Sequence, residues 1–279
     1  MPSITLLHAG FYSSIQDRGR KSHRHIGIPH SGAMDQSSAD LGNSLLNNAL
    51  DAAVMEIILQ GGTYLFSHST RIAVTGAKAS IRINNILVDQ NKVLEISAGD
   101  LLKMGATSSG NFIYLVIAGG FLTDTILGSK SFYHKITNKH KLNTRDTVPF
   151  QEQIMNMYNR ASFYNHKADT SLRCYAGPEF NLLNRNQQEK LLNTSFSISK
   201  DWNRMAFQLE EKLSNSLQQL KSSPVLPGTV QLTANGQLIV LMRDAQTTGG
   251  YPRVLQLEEE SISKISQKRV GEKVDLVVI

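Results

Sequence analysis

Five short apolar runs decide the fold of this chain: Tyr64-Leu65-Phe66, Arg71-Ile72-Ala73-Val74, Ser80-Ile81-Arg82-Ile83, Val93-Leu94-Glu95-Ile96 and Phe112-Ile113-Tyr114-Leu115-Val116-Ile117. Each run has the length of a β-strand, and turn signals such as Gly61-Gly62 and Asn84-Asn85 separate them. A spacing of about 8–12 residues between strands is typical of an all-β barrel or sandwich.

The remainder of the chain adds more strands and few helices. Strands are predicted over Ile4–Ala9, Thr194–Ser199, Arg253–Leu257 and Lys273–Ile279, with a hairpin of 228–232 and 237–242 closed at Asn235-Gly236. Helices are predicted over Gln36–Leu46, from Asn47 through Glu56, and over Asn181–Leu192. The sequence therefore predicts a mainly-β protein with a few short helices.

A repeated turn motif suggests two related halves. Gly99-Asp100 and Gly271-Glu272 each precede an apolar strand, in a turn that requires a positive φ at glycine. We interpret this repeat as two similar barrels, an N-terminal domain over residues 1–165 and a C-terminal domain over 166–279; the alternative is that both halves use the same common turn type. The N-terminal domain also carries a motif-bearing segment at its start.

Composition limits the function classes. The chain has 279 residues, 41% hydrophobic and 19% charged, which excludes disorder as the main state. The net charge of +6 is scattered, and its one dense segment, His134–Lys141, lacks an aromatic platform, so we predict a solvated loop and no nucleic-acid partner. We recognise neither a signal peptide nor a membrane-spanning run, and we expect a cytoplasmic protein. A single cysteine and the spacing of His23, His25 and His30 predict no metal site.

The first segment with the chemistry of a binding site lies near the start of the chain. Gln16-Asp17-Arg18-Gly19-Arg20, continued by residues 27–35, combines an amide, carboxylates, guanidinium groups and glycines. Arginine can clamp a carboxylate or phosphate with two hydrogen bonds, and Asp17 is placed to orient such a clamp. The alternative is a glycine-rich connection in which Asp and Arg pair with each other.

The second such segment is Arg243–Pro252, a predicted loop between two apolar strands. It offers a carboxylate, an amide, two hydroxyls, two glycines and a phenol, from Asp244, Gln246, Thr247, Thr248, Gly249, Gly250 and Tyr251. This inventory suits the binding of a small polar molecule, although a structural turn is the alternative. The residues alone leave open whether Arg204 belongs to a site or to the core.

Several motifs together resemble one known family. They are Gln16-Asp17-Arg18-Gly19-Arg20, Gly27-Ile28-Pro29, Ser31-Gly32-Ala33-Met34-Asp35, Gly42-Asn43 with Glu56, Ala118-Gly119-Gly120, Leu127-Gly128-Ser129, Ala176-Gly177-Pro178-Glu179, Asn203-Arg204-Met205 and Gln246-Thr247-Thr248-Gly249-Gly250-Tyr251-Pro252. The chain resembles the family of 5-oxoprolinase C subunits along essentially its whole length. That family is also called KipA-like, allophanate hydrolase subunit 2 or biotin-dependent carboxyltransferase-like.

The resemblance implies a pair of cyclophilin-like β-barrels and an obligate partner, a KipI-like B subunit, often with a separate A subunit. Such an assembly uses ATP to open 5-oxo-L-proline to L-glutamate. Related domains in urea carboxylase transfer a carboxyl group from carboxybiotin to urea. A third relative is a regulator that antagonises an inhibitor of a sensor kinase. This chain has no recognisable biotin-carrier domain or ATP-grasp region, so we expect no biotin attached to it and ATP use by the complex alone.

The shared chemical problem is a resonance-stabilised amide, whose carbonyl must be polarised by positioned donors. We predict catalytic roles for Asp17, Arg18, Asp35 and Asp244. Substrate-binding roles are predicted for Gln16, Arg20, Arg204, Gln246, Thr247, Thr248, Gly249, Gly250 and Tyr251. This interpretation expects the loops of Asp17–Arg20 and Gln246–Tyr251 to converge on one pocket.

Four positions depart from the family pattern. Arg145 stands in place of the glycine that usually precedes an aspartate, here Asp146. Trp202 and Ala206 flank Arg204 in place of Ser and Gly, and Val270 replaces the proline of a Pro-Gly-Asp turn. These departures bear on substrate identity and leave the predicted fold unchanged.

Overall fold

The structure, a computed structural model, describes residues 1–151 and 169–279. Within that part, residues 1–20 and 31–151 form one compact unit, and residues 21–30 and 169–279 form a second. Both units are built mainly from strands, so the predicted mainly-β fold with a few short helices is confirmed. The boundary predicted between residues 165 and 166 lies outside the described residues.

The first unit is a nine-stranded sheet with one helix. Its elements are β1 Ser3–His8, β2 Tyr12–Gln16, α1 Gln36–Leu45, β3 Val54–Ile58, β4 Thr63–Phe66, β5 Thr70–Ile83, β6 Ile86–Val88, β7 Leu94–Ile96, β8 Leu101–Ile117 and β9 Thr147–Pro149. The strand order is β2-β3-β8-β4-β1-β9, and β5 pairs with β8 and carries β6 and β7.

Two predicted strands are one in the structure. The runs Arg71–Val74 and Ser80–Ile83 belong to the continuous strand β5, which pairs antiparallel with β8 from Ile72 to Ile83. Gly76, with a φ of 85°, marks the first of the register shifts and does not end the strand. Bulges of this kind bend a strand while preserving its pairing, so the sheet curls around its core.

The helix predicted from Asn47 through Glu56 is wrong. Asn47 adopts a φ of 53° just beyond the end of α1, which is the left-handed conformation that stops a helix. Val54–Ile58 is instead strand β3, which pairs with β2 on one side and β8 on the other. A central strand with both faces covered has a continuous apolar sequence. From periodicity alone, such a sequence cannot be assigned to a strand or to a buried helix.

The second unit is a closed barrel of seven strands with two helices. Its elements are β10 Ser171–Ala176, α2 Arg185–Asn193, β11 Ser195–Trp202, β12 Ala206–Leu209, β13 Ser223–Pro224, β14 Thr229–Leu232, β15 Leu238–Leu241, β16 Thr248–Gly249, β17 Arg253–Leu257, α3 Glu259–Ser266 and β18 Lys273–Val278. The barrel order is β10-β17-β14-β15-β12-β11-β18, and β10 and β18 pair in parallel to close it.

Most predicted strands and helices of the second unit are present, with one omission. The hairpin closed at Asn235-Gly236 is β14 and β15, and Gly236 has a φ of 84°. Helix α3 is not predicted from the sequence, because Ile262 and Ile265 alone supply its buried apolar stripe. The short ladder of β13 and β16 lies outside the barrel and supports the polar loop described below.

The repeated glycine turn has the predicted conformation in both units. Gly99 has a φ of 88° and Gly271 a φ of 81°. The acidic residue that follows each glycine accepts a backbone N–H three residues earlier in the chain, Asp100 from Ser97 at 2.8 Å and Glu272 from Arg269 at 2.5 Å. The shared motif is therefore explained by local turn chemistry.

Helix α1 packs on the sheet through a glycine, and this contact predicts a stability effect. A Cβ added at Gly42 would lie 2.3 Å from a methyl carbon of Val116, whose branched side chain is stiff in a strand. We expect Gly42→Ala to lower the free energy of unfolding by about 1–3 kcal/mol, measured by chemical denaturation of the full chain.

Ser44→Ala on the same helix is the matched control, because Ser44 is only half-buried. We expect its effect to stay within about 0.5 kcal/mol. Equal stability of Gly42→Ala and the wild type would show that the helix does not depend on this close contact.

Candidate functional site

Asp17 lies directly after β2 and its carboxylate is surrounded by donors. Oδ1 accepts the backbone N–H of Gly19 at 2.8 Å and the hydroxyls of Ser129 and Ser131, both at 2.6 Å. Oδ2 accepts the backbone N–H of Lys130 at 2.6 Å. With both oxygens engaged, the carboxylate fixes the loop that carries Arg18 and Arg20.

Two glycine-containing segments shape the surroundings of Asp17. Leu127 and Gly128 have φ values of 54° and 75°, and this tight turn precedes Ser129. A Cβ on Gly32 would lie 3.0 Å from the backbone nitrogen of Gly19. A side chain at position 32 would therefore push apart the two chain segments that contain Gly19 and Gly32. The motif Leu127-Gly128-Ser129 thus contributes a partner of the Asp17 carboxylate, whereas Ser31-Gly32-Ala33 packs against the backbone of residues 17–19.

Arg18 is oriented by helix α1. Its Nη2 forms an ion pair with Asp40, and its Nε donates to the carbonyl oxygen of Leu50 at 3.2 Å. The second oxygen of Asp40 accepts the Gln36 amide at 2.9 Å. The side chain of Arg18 keeps 36% of its surface exposed. Asp17 and Arg18 therefore have different partners. The alternative interpretation, in which these two side chains pair with each other, does not describe this loop.

Gln16 and Arg20 are enclosed within the first unit. Arg20 is fully buried, and its Nη2 donates to the carbonyl oxygen of Ser131 at 2.5 Å. The amide of Gln16 donates to the Ser14 hydroxyl at 3.0 Å and to the Phe132 carbonyl at 3.3 Å. A ligand could contact these two side chains only after local rearrangement.

Asp35 belongs to a buried network at the start of α1. Its side chain caps the helix by accepting the Ser38 N–H at 3.0 Å, while its own N–H donates to the Tyr114 hydroxyl at 2.7 Å. Tyr114 donates in turn to Glu56 at 2.9 Å, and Glu56 also accepts the N–H of Met34 at 2.7 Å. Burial, and then the negative charges of Glu56 and Asp35, raise the pKa of Tyr114 well above its ordinary value.

Sequence reasoning did not assign a role to Glu56. A signal is nevertheless present, because a glutamate interrupts the apolar strand Val54–Ile58 and is itself fully buried. Buried carboxylates are found almost always with partners that satisfy them. Glu56 positions the segment that leads into helix α1.

In the second unit, Arg204 and Asp244 form a buried, bidentate ion pair. Nε and Nη2 of Arg204 lie 2.7 and 3.1 Å from the two oxygens of Asp244. The backbone N–H of Asp244 also donates to the carbonyl oxygen of Arg204 at 2.9 Å. The pair joins the start of β12 to the end of β15 and thereby fixes the beginning of the polar loop.

A second ion pair fixes the end of that loop. Arg253 donates from Nε and Nη2 to the two oxygens of Glu179 at 2.9 and 2.7 Å, and its backbone N–H adds a third bond at 2.8 Å. The hydrogen bonds from Arg253 hold the pKa of Glu179 below its usual range. Gly177 permits this approach, since a Cβ there would lie 2.1 Å from the Arg253 carbonyl oxygen. Sequence reasoning missed Arg253, although Glu179 stands in a family motif.

The loop between these pairs, Gln246–Tyr251, is held by its backbone and leaves its side chains available. The carbonyl of Thr247 accepts the Val225 N–H at 3.1 Å, and the carbonyl of Gly250 accepts the Leu220 N–H at 2.8 Å. The side chains of Gln246, Thr247, Thr248 and Tyr251 form no hydrogen bond with any residue that the structure describes. Such a loop can bind a small polar molecule without losing internal contacts.

The predicted site residues fall into two groups. Gln16, Asp17, Arg18, Arg20 and Asp35 lie in the first unit. The second unit contains Arg204, Asp244, Gln246, Thr247, Thr248, Gly249, Gly250 and Tyr251. The convergence of the two groups on one pocket stays a prediction.

Within residues 1–151 and 169–279, no group of three or more His, Cys, Asp or Glu is arranged to hold a metal ion. In the same ranges no helix has the length and apolar character that crossing a bilayer requires.

Comparison with known proteins defines the class. Residues 26–278 match the family model for the carboxyltransferase domain, subdomain A and B, and the chain belongs to this family. It is 30% identical over 280 residues to the 5-oxoprolinase C subunit of Escherichia coli K12, a match that covers 98% of this chain and 90% of that protein. It is 27% identical over 289 residues to the 5-oxoprolinase C subunit of Haemophilus influenzae, covering 96% and 88%. The resemblance drawn from the motifs is confirmed.

A second group of similar proteins consists of chains much longer than this one. The chain is 38% identical over 125 residues to the urea amidolyase of Lachancea kluyveri, which covers 44% of this chain and 7% of that protein. The crystal structure of the K. lactis urea amidolyase matches with a TM-score of 0.89 at 23% identity, covering 99% of this chain and 19% of that one. The K. lactis urea carboxylase matches with a TM-score of 0.88 at 22% identity, covering 99% and 27%. These structures share the fold.

The Glu179–Arg253 pair predicts a pH-dependent stability difference. The folded-state pKa of Glu179 is lower than the ordinary glutamate value of about 4.3, so the pair stabilises fully above that pH and progressively less as pH falls through the lower folded value. We expect Glu179→Gln to lower the free energy of unfolding by about 1–3 kcal/mol at pH 7, measured by urea denaturation. The difference from the wild type should shrink as the pH is lowered below that range.

Glu189→Gln is the control, because Glu189 pairs with Arg185 on an exposed helix surface. Its effect should stay within about 0.5 kcal/mol at every pH. A deficit of Glu179→Gln that is constant with pH would contradict a charge-dependent role for Glu179.

Proposed function

We propose that this chain is the C subunit of an ATP-dependent 5-oxoprolinase, which acts with a KipI-like B subunit and an A subunit to hydrolyse 5-oxo-L-proline to L-glutamate. The main support is the near-complete mutual coverage with the 5-oxoprolinase C subunit of E. coli, 98% of this chain and 90% of that protein. The similarity to the urea amidolyase of L. kluyveri covers 44% of this chain.

The loop Gln246–Tyr251 is the proposed substrate-binding segment of this chain. Gln246, Thr248 and Tyr251 are exposed, and their polar side-chain atoms have no hydrogen bond with the described residues. An amide ring has one carbonyl acceptor and one N–H donor, so an amide, a hydroxyl and a phenol supply matching partners. The ion pairs Arg204–Asp244 and Arg253–Glu179 fix the two ends of the loop, so little rearrangement is needed when the ligand binds.

The charged residues of the candidate site divide into two proposed roles. Asp17, Asp35 and Asp244 already accept hydrogen bonds from protein donors, so in this proposal they position the loops that contain them. Arg18 is partly exposed and is oriented by Asp40. It is the proposed donor that stabilises negative charge developing on the amide oxygen. ATP use is assigned to the assembled complex and not to this chain.

The proposal is tested by reconstitution. The purified chain is combined with the A and B subunits of its complex, and ATP-dependent formation of glutamate from 5-oxo-L-proline is measured. We expect turnover by the complete mixture and none by the isolated chain. Turnover by the isolated chain would contradict the requirement for the partner subunits, and a complete mixture without glutamate formation would contradict the proposed function.

A carboxyltransferase acting on urea-like amides is the second candidate. The observation that favours it is the 38% identity over 125 residues to the urea amidolyase of L. kluyveri, which is locally higher than the identity to the E. coli 5-oxoprolinase chain. Biotin-dependent carboxylation of urea by the same mixture, supplied with a biotin carrier, would support it. Tight binding of the KipI-like partner without turnover of either substrate would instead indicate a KipA-type regulator.

Tyr251 provides a test of the loop within the complex. We expect Tyr251→Phe to lower kcat/KM for 5-oxo-L-proline about tenfold, because the variant removes a hydroxyl that contacts the substrate and leaves the ring in place. Steady-state kinetics of the reconstituted complex measures this effect.

Tyr175→Phe is the matched control. Tyr175 is another exposed tyrosine of the second unit, 51% exposed against 37% for Tyr251. Its hydroxyl bonds to Glu258, outside the loop, so kcat/KM should not change. Equal losses in the two variants would remove the assignment of the Tyr251 hydroxyl to substrate binding.

A further inference from the structure

Three arginines near the polar loop of the second unit are each neutralised by a carboxylate. The pairs are Arg204 with Asp244, Arg243 with Glu259, and Arg253 with Glu179. A guanidinium group already held by two carboxylate oxygens has little remaining capacity for an anionic ligand. These three side chains therefore shape the loop and do not provide a binding charge.

A fourth arginine of the same unit, Arg24, contacts the loop in a different way. It begins a short 3₁₀ turn, Arg24–Ile26, and its Nη2 donates to the carbonyl oxygens of Val225 and, at 3.4 Å, of Gln246. The N–H of Val225 in turn donates to the carbonyl oxygen of Thr247. Arg24 thus adjoins the first residues of the substrate-binding loop. Among residues 1–151 and 169–279, no carboxylate pairs with it.

The guanidinium of Arg24 is incompletely satisfied. Its Nη1 is shielded from solvent and has no hydrogen-bond acceptor among the described residues. The bond from Nη2 to Gln246 is at the long limit for a hydrogen bond, so exchanging it for a better acceptor costs little. Burial lowers the pKa of Arg24, as expected for a charge with no compensating anion nearby. A small shift of the Arg24 side chain would bring Nη1 to the surface, and a carboxylate spanning Nη1 and Nη2 would then satisfy both nitrogens.

We propose that Arg24 binds the carboxylate of the substrate and selects an acidic lactam over a neutral amide. The inference rests on the proposed function, because 5-oxo-L-proline carries a carboxylate next to its ring nitrogen and urea carries none. The amide ring then lies against Gln246, Thr248 and Tyr251, and the carboxylate replaces the long contact between Arg24 and Gln246. Arg24 is a substrate-binding residue that no sequence motif assigned.

The surroundings of Arg24 favour a single negative charge over a phosphate. Phosphate sites combine several backbone N–H donors, often at a helix N-terminus, with more than one cation. Arg24 instead lies beside two carbonyl oxygens, those of Val225 and Gln246, and the other three arginines near the loop are already paired. Carbonyl oxygens repel any anion, and this repulsion grows with the charge of the ligand, so one carboxylate held by one guanidinium is the better match.

The test compares an acidic and a neutral ligand in the reconstituted complex. Arg24→Gln and Arg24→Lys are assayed with 5-oxo-L-proline as substrate and with 2-pyrrolidinone, the same ring without the carboxylate, as competitive inhibitor. We expect Arg24→Gln to raise KM for 5-oxo-L-proline about tenfold or more, while the inhibition constant of 2-pyrrolidinone stays unchanged. Arg24→Lys keeps the positive charge but loses the paired N–H donors of the guanidinium. Its KM for 5-oxo-L-proline should therefore lie between that of the wild type and that of Arg24→Gln.

Arg185→Gln is the control, because Arg185 is an exposed arginine of the same unit that pairs with Glu189. It should leave both constants unchanged. If Arg24→Gln weakens 5-oxo-L-proline and 2-pyrrolidinone equally, Arg24 supports the loop structurally and the inference is wrong. An unchanged KM in Arg24→Gln overturns it as well.

A second measurement separates this inference from the proposed function. If the wild-type complex forms no glutamate, binding of 5-oxo-L-proline and 2-pyrrolidinone to that complex is measured by calorimetry. A preference of the wild type for the acid that disappears in Arg24→Gln would support the carboxylate site even though the proposed reaction had failed. A wild-type complex that binds the two ligands equally would overturn the inference.

Discussion

The first unit depends on the pairing of one long strand, β8, with three others. Residues Leu101–Lys103 of β8 pair with β4, residues Phe112–Leu115 pair with β3, and β5 runs along the opposite edge. Shifts in register along β5 and β8 let both strands bend without losing their partners. The same strand contains Tyr114 and Val116. The Tyr114 hydroxyl accepts the N–H of Asp35 at the start of helix α1, and Val116 packs against Gly42 in the middle of that helix. The position of Asp35 therefore follows from the pairing of β8.

Buried charges shape the loops in both units. In the first unit, one carboxylate, Asp17, gathers donors from the segments 17–19 and 129–131. In the second, the ion pairs Arg204–Asp244 and Arg253–Glu179 hold the two ends of the polar loop. Burying a charge is unfavourable unless hydrogen bonds and a counter-charge compensate for it, so each group has a narrow range of allowed positions. This constraint gives irregular backbone a defined shape while loop side chains stay available.

Local patterns predicted those features of the fold that depend on neighbouring residues. The hairpin at Asn235-Gly236, the glycine turns at Gly99 and Gly271 and the helix after Asp35 all follow from short-range backbone preferences. The helix predicted from Asn47 through Glu56 was wrong because a strand covered on both faces lacks alternation. Helix α3 was missed because its apolar stripe contains only Ile262 and Ile265. Both outcomes depend on burial by distant strands and not on local sequence.

The sequence by itself determined the class of this protein, because long motifs of glycines and charged residues at both ends of the chain are specific to one family. It also predicted a binding segment at the loop Gln246–Tyr251, from the polar groups that the loop contains. Only the tertiary structure decided which charges are already paired. Partners such as Asp40 for Arg18 and Glu179 for Arg253 lie 22 and 74 residues apart in the chain. Folding brings such partners together, and composition alone does not reveal them.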